Sequence, residues 1–343
     1  MFEMERETRM KAVKAGQAGK AVKAQSHKKF LFVIALTAFT AFTALTASPA
    51  FKIPSEQEIS DMIELLRKEA PKNVAHRIEV ISARFIGMRY VLGPLGEEVR
   101  GEFDRDPLIR FDAADCTTFI ETVMALALAR NKREVVPMLT KIRYKDGVIS
   151  YQTRNHFVSV DWVPNNKQAG LIEDITEEFA GDGVRWAEKV ISKRQWYLVK
   201  TEEILDKENV NGFGKKLSPR KRQALVAKWQ ALGKDIPDEP ARLAYAPVAL
   251  LKEKAKKIPS GAVFNLVRVQ DYPVVIVSHQ GLIIQKAGQT VVRHASSVNG
   301  VVEDMPLEEY LAKYETSKYP ALGMNINVVQ EVQEAKKVQS TGR

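Results

Sequence analysis

The chain has 343 residues, 45% hydrophobic and 27% charged, with 19 glycines and one cysteine. That composition excludes disordered, collagen-like and disulfide-stapled proteins, and one thiol is too few for a zinc finger or an iron–sulfur cluster. The net charge is +10, but the first 29 residues carry eight Lys or Arg against three Asp or Glu, half of that surplus; what remains on so large a body reads as solvated surface, and no nucleic-acid partner is expected.

In chain order, Lys28-Lys29 precede an apolar stretch, FLFVIALTAFTAFTAL from Phe30 to Leu45, and then TASPA. A basic segment, an apolar core and small residues at Ser48 and Ala50 have the pattern of an export leader cut after Ala50. Residues 1–50 are therefore expected to be a signal peptide or leader, and the protein to act in the periplasm or cell envelope. The apolar stretch is short for a span of about 20 residues, so no stable membrane integration is expected after cleavage; an uncleaved anchor is the alternative.

From Pro54 a Ser55-x-x-Glu58 capping box opens a helix whose Ile59, Met62, Ile63 and Leu66 share one face, ending before Pro71. A second helix is expected from about Val74 to Phe85. Gly87–Glu98 is a glycine-punctuated loop. FDAADCTTFIETVMALALAR turns helical after Asp115, with Phe119, Val123, Leu126 and Ala127 on one face, and another helix follows around Lys132–Arg143. GVISYQTRNHFVSVDWVP alternates like a strand or hairpin. Residues 184–250 are read as an insertion, with a helix near Pro219–Leu232. From Ile258 apolar runs alternate with turns, then come a short helix at Pro306, a last strand at Gly323 and a tail over 331–343. Helices first and an antiparallel-looking sheet after them give an α+β class, with one domain over residues 51–330.

Cys116 has no partner in the chain. In an oxidising compartment such a thiol is buried and inert, linked to another molecule, or a nucleophile. It stands where a loop becomes a helix, and helix amino-terminal N–H groups lower a thiol's pKa and donate to an oxyanion. A thiolate nucleophile needs a base, usually His. His279 is expected to end the apolar strand VVIVS, and His294 the next strand, TVVRHAS. Adjacent antiparallel strands bring the two side by side, so that one fixes the other's tautomer; two half-buried strand histidines are the alternative. Arg154 and His156 either hold a carboxylate or sugar of a substrate, or make a salt bridge and pack beside Trp162. Asp115 reads as a helix cap and Asp161 as structural, and Trp186, Trp196 and Trp229 as packing.

The string FDAADCTTFIETVMALA resembles the nucleophile motif of the N-acetylmuramoyl-L-alanine amidase-like family, a branch of the NlpC-type, papain-like cell-wall cysteine hydrolases. GMRYVLGPLGE, RNHFVSVDWVPNN, SHQGLII, VVRHASS, and LEEYL followed by GMNINVV agree with it in order over about residues 55–330, poorly through 184–250. Gln280 stands where a small apolar residue is usual, and Ala262 where Asp is usual. The resemblance implies a papain-like NlpC-type fold, its helical amino-terminal part carrying the nucleophile against an antiparallel sheet carrying the histidines. It implies Cys116 as nucleophile, His279 as base and acid, His294 as orienting residue, and Tyr90 beside the oxyanion, with Arg154 and His156 toward the substrate. The bond cut would join N-acetylmuramic acid to L-alanine in peptidoglycan or muropeptides, with no metal or organic cofactor. A peptidase cutting within the stem peptide at a γ-D-glutamyl bond and a non-catalytic wall-binding protein are the alternatives.

Overall fold

A computed structural model describes residues 51–269, 271 and 274–331. The expected leader over 1–50, and all of the expected tail except residue 331, lie outside the described residues. No helix among the described residues is long and apolar enough to cross a membrane.

Helix α1 (Glu56–Glu69) starts with both halves of the Ser55/Glu58 capping box formed, and buries Ile59, Ile63 and Leu66. Helix α2 (Val74–Ala83) is capped by Asn73. Two short parallel strands, β1 (Arg89–Tyr90) and β2 (Ala113–Ala114), bracket the loop between them. Helix α3 (Cys116–Leu128) follows directly, and every residue from Thr118 to Leu128 is buried. Its carboxyl end is gripped from outside: Arg67 Nε donates to Ala129 O at 3.0 Å and Arg77 Nε to Ala127 O at 2.8 Å. Both guanidinium groups also pair with Glu331. These cations meet the negative end of the helix dipole and satisfy carbonyls that the helix cannot. Helix α4 (Val135–Arg143) packs alongside, tied to α3 by the buried pair Arg143–Glu121, with Nε to Oε2 at 2.6 Å.

The segment expected as a strand or hairpin around 148–164 is not one. Apart from a single bridge between Tyr144 and Arg154, it forms turns, a π-type turn over Val158–Trp162 and helix α5 (Val163–Gln168). The alternation of Val158, Val160 and Trp162 favours a strand locally, but Trp162 is fully buried in the core beside α3. Asp161 fixes the turn by accepting from the Phe157 N–H at 3.0 Å and from Lys193 Nζ at 2.6 Å. Tertiary burial and one carboxylate override the propensity.

The rest is mixed α+β with a twisted antiparallel sheet. Its strands are β3 (Ile172–Asp174), β4 (Arg185–Ile191), β5 (Glu239–Pro247), β6 (Ala262–Arg268), β7 (Val277–Lys286), β8 (Gln289–Ala295), β9 (Val302–Pro306) and β10 (Ala321–Val329). The order is β4-β5-β10-β6-β7-β8-β9, and β3 pairs with β10 beyond the end of β5. Every residue of β6 is buried because both faces are covered. Val263, Leu282, Ile284 and Val291 meet α1–α4 on one face. Phe264, Leu266, Ile283, Val292 and Met305 face the other way, against helix α6 (Leu307–Glu315) and its Tyr310 and Leu311. Residues 184–250, read from sequence as an insertion, supply β4 and β5 as a strand pair extending the sheet. The helices between those strands form a separate apolar cluster around Trp229, Tyr197 and Leu205, joined by Phe103 and Tyr151.

Candidate functional site

Cys116 is the first residue of α3, and Asp115 is its cap. One Asp115 oxygen accepts from the Thr118 N–H at 2.8 Å, and the other accepts from the Gly93 N–H at 3.0 Å. A single carboxylate thus closes the helix start and pins the loop after β1 against it. Tyr90 is held on two sides, by β2 and by a bond from its N–H to Gly300 O at 2.7 Å. Burial, with Cys116 and the Asp115 carboxylate beside it, pushes its hydroxyl pKa up, so the group remains an O–H donor.

His279 is the third residue of β7 rather than the end of an apolar strand. The β6–β7 register runs Leu266↔His279 and then Val267↔Val277, so Ser278 is an extra residue, a bulge immediately before the histidine. Bulges re-aim the side chains that follow them. The β7–β8 ladder begins only at Leu282↔Arg293, leaving the start of β7 free of ladder bonds on that side. There the backbone N–H of Gln280 favours the ionised form of the Cys116 thiol, which brings this end of β7 close to the start of α3. Gly281 sits opposite both Phe264 and, across the gap, the end of β8; the Phe264 ring occupies the space where a side chain would be.

His279 Nε2 lies 2.8 Å from His294 Nδ1. His294 Nε2 in turn lies 3.7 Å from Glu303 Oε1, its directly paired neighbour on β9. Glu303 is braced by Asn299 Nδ2, which donates to both its oxygens at 2.8 Å. With the His294 proton assigned to Nε2, on the side of the Glu303 carboxylate, the other positions follow. His294 Nδ1 then accepts, His279 Nε2 donates, and His279 Nδ1 is left with a free lone pair. Among the described residues His279 Nδ1 makes no hydrogen bond. Tyr310 backs both rings, with centroids 5.1 Å from His294 and 6.3 Å from His279. Glu303 was missed by the sequence reading; the β8–β9 register, invisible before strands are paired, is what reveals it.

The electrostatics correct one expectation. Burial pushes the Cys116 thiol up to about 12, and the Asp115 charge adds to this. The Gln280 N–H and the Thr117 hydroxyl and N–H oppose the rise without overcoming it. At this helix start the cost of removing the sulfur from water exceeds what the neighbouring N–H and hydroxyl donors return. Burial also holds His279 well below the usual histidine range, with His294 and Arg268 adding to it, and holds His294 down at about 4. At neutral pH the site is a neutral thiol beside neutral imidazoles.

Arg154 and His156 are placed apart from this cluster. Arg154 Nε donates to Glu97 Oε1 at 2.7 Å and its Nη2 to Asp104 Oδ2 at 2.9 Å, so its fork is already filled by two buried carboxylates. His156 Nε2 donates to Tyr151 O at 2.8 Å, and its ring packs between Tyr151 and Trp196. Neither contacts Cys116 or His279 among the described residues.

The model of the N-acetylmuramoyl-L-alanine amidase-like family matches residues 80–317. A protein of Legionella pneumophila, whose family is named only as a domain of unknown function, shares 33% identity; the match covers 80% of this chain and 95% of that one, with a TM-score of 0.70. An N-acetylmuramoyl-L-alanine amidase of Bacteroides uniformis shares the fold at 21% identity and a TM-score of 0.57, over 76% of this chain and all of that one. A Bacteroides fragilis protein described as a candidate xylanase aligns at 26% identity and a TM-score of 0.54, over 72% and 98% of the two chains. No curated protein matches the chain. The family model includes both β1–α3 and β6–β9, the elements that hold Cys116 and the two histidines, and the chain belongs to the N-acetylmuramoyl-L-alanine amidase-like family.

Proposed function

We propose that this protein is an exported cysteine hydrolase of NlpC-type, papain-like arrangement that cleaves the amide joining N-acetylmuramic acid to L-alanine in peptidoglycan or muropeptides. The observation that carries this reading is the relay His279–His294–Glu303 on a strand whose next residue, Gln280, turns its peptide N–H toward the Cys116 thiol and favours its ionised form. Family membership supports the substrate class.

With thiol and imidazole both neutral, attack and proton transfer occur together. As Cys116 Sγ bonds the carbonyl carbon, its proton passes to His279 Nδ1. The imidazolium is stabilised through His294 toward Glu303, much as a buried carboxylate stabilises the histidine of a serine hydrolase. The oxyanion accepts from the Cys116 N–H, which has no helical partner, and from the Tyr90 hydroxyl. His279 then returns the proton to the alanine nitrogen, the amine leaves, and a thioester joins Cys116 to the lactyl acyl group. Water, deprotonated by His279, cleaves that thioester. We leave Arg154 and His156 out of the substrate contacts, because Arg154 Nε and Nη2 are taken by Glu97 and Asp104, and His156 Nε2 by Tyr151. A glycosidase would need two carboxylates flanking the cut bond; here Asp115 is spent as a cap and Glu303 stands behind His294.

The test is a defined disaccharide-tetrapeptide with wild type and Cys116→Ser, products identified by mass. Free tetrapeptide plus disaccharide from the wild type only is the expected result. A shortened peptide still attached to sugar replaces this reading with stem-peptide cleavage, and equal activity in Cys116→Ser removes the nucleophile.

A further inference from the structure

Behind the site lies a row of buried side-chain amides that the mechanism does not use. Thr117 Oγ1 donates to Gln280 Oε1 at 2.7 Å. Gln280 Nε2 donates to Asn265 Oδ1 at 2.8 Å, and Asn265 Nδ2 donates to Asn325 Oδ1 at 2.9 Å. Asn325 Nδ2 donates to Asp174 Oδ2 at 2.9 Å, with Asn327 Nδ2 also donating to Asn325 Oδ1 at 2.7 Å. The row crosses β7, β6 and β10 and ends on β3. Gln280, Asn265 and Asn325 have no exposed surface.

The row has a fixed direction. The Asp174 carboxylate only accepts, so the amide nitrogen of Asn325 must face it and the oxygen must face Asn265. Asn265 must then present nitrogen to Asn325 and oxygen to Gln280, and Gln280 must present its oxygen to Thr117. Thr117 is thereby committed as a donor. A flip anywhere along the row would set two nitrogens or two oxygens against each other in a dry interior, at the cost of unpaired buried groups. Apolar side chains would fill that space without this constraint. The row also starts at the residue after Cys116 and passes through the residue after His279. Alternation along β7 turns the Gln280 side chain to the face where α3 lies, and there it meets Thr117.

We propose that Gln280 is a positioning residue for the nucleophile: its amide, oriented by the row that ends on Asp174, ties the first turn of α3 to the β7 backbone that carries His279. This rests on the reading of Cys116 as nucleophile. Gln280 then acts twice, since its side chain holds Thr117 while its own N–H favours the ionised form of the Cys116 thiol. Shifts of about 1 Å between nucleophile and base are enough to slow a reaction a hundredfold.

The experiment uses the full chain with Thr117→Val and Gln280→Met, both near the original volume, their double variant, and Thr117→Ser. Three readouts are taken: kcat and KM on the muropeptide, the rate of Cys116 alkylation by iodoacetamide at pH 9, and the melting temperature. Each single change should lower kcat about tenfold with KM within twofold. The double variant should fall no further than Gln280→Met, because the Thr117–Gln280 bond is already lost in either single variant. Alkylation should slow at least threefold as the Gln280 N–H ceases to favour the ionised thiol, and Thr117→Ser should restore most of both losses. Lowered melting with kcat and alkylation within twofold of wild type would make the row structural only and overturn the proposal, as would additive losses in the double variant. If wild type cleaves no muropeptide, the functional reading fails by itself; alkylation still decides whether Gln280 positions Cys116. Gln280→Met is the variant most prone to misfold, and Thr117→Val, at a half-buried position, keeps the test decisive.

Discussion

Gly281 carries a sharp prediction. It lies in the middle of β7, opposite Phe264. A methyl group built there would stand 2.4 and 2.7 Å from two Phe264 ring carbons and 3.0 Å from Arg293 O. Real methyl contacts need well over 3 Å, so the ring must move by about 1 Å. It has nowhere to go: Phe264 is fully buried, 5.5 Å from the Tyr310 ring and 6.4 Å from the His279 ring. Overpacking of this kind costs roughly 1–3 kcal/mol. Because the displaced ring supports His279 and Tyr310, Gly281→Ala should also lower kcat, by about tenfold. Urea unfolding and steady-state kinetics on the same preparation measure both. Phe264→Leu, combined with Gly281→Ala, should regain part of the stability because the smaller side chain clears the methyl. A Gly281→Ala protein within 0.5 kcal/mol of wild type and fully active would refute the steric argument.

Other expectations concern charge. His279→Ala should reduce kcat by roughly 10²–10⁴, His294→Ala by less, and Glu303→Gln by about tenfold with KM unchanged, as steady-state kinetics will show; equal losses at His279 and His294 would give His294 a more direct role. The His294 pKa is depressed to about 4 in the folded state from an ordinary 6.5, so the unfolded chain takes the proton first as pH falls. The corresponding stability, up to about 3 kcal/mol for this side chain, is present above pH 6.5 and lost as pH falls toward 4, and His279 adds in the same direction. Denaturant midpoints from pH 7 to 4 should drop accordingly, and more shallowly in His294→Gln. With its thiol pushed up to about 12, Cys116 should alkylate at pH 8 about a thousandfold more slowly in the folded chain than in urea. An inflection between pH 4 and 8 would mean a preformed thiolate instead.

The parts of this molecule legible in its sequence are those that local chemistry decides. Ser55 and Glu58 announce α1 because both halves of a capping box lie within four residues. Asp115 and the apolar run after it announce α3 in the same way. His279 and His294 are readable as neighbours because each lies on an apolar run and the two runs are joined by a short turn. What stays hidden depends on pairing. The bulge at Ser278 exists only relative to β6, and Glu303 matters only because β9 registers it opposite His294. The segment through Trp162 misleads because its alternation is real and its fate is set by a core formed by other elements. The thiol's ionisation misleads for a related reason: the helix start can be read from sequence, and the depth of burial that raises the thiol's pKa cannot.

The grip of Arg67 and Arg77 on the far end of α3 has a consequence for how the protein fails. A helix buried from Thr118 to Leu128 and clamped at its carboxyl end has no partial opening available to it. The amides that its buried run protects should exchange with solvent only on global unfolding, so Cys116 sits at the start of a well-protected helix rather than on a mobile loop. Thermal inactivation and global unfolding should then follow a single curve. Heated samples would contain folded and unfolded chain, with no appreciable pool of folded molecules in which Cys116 has slipped out of place.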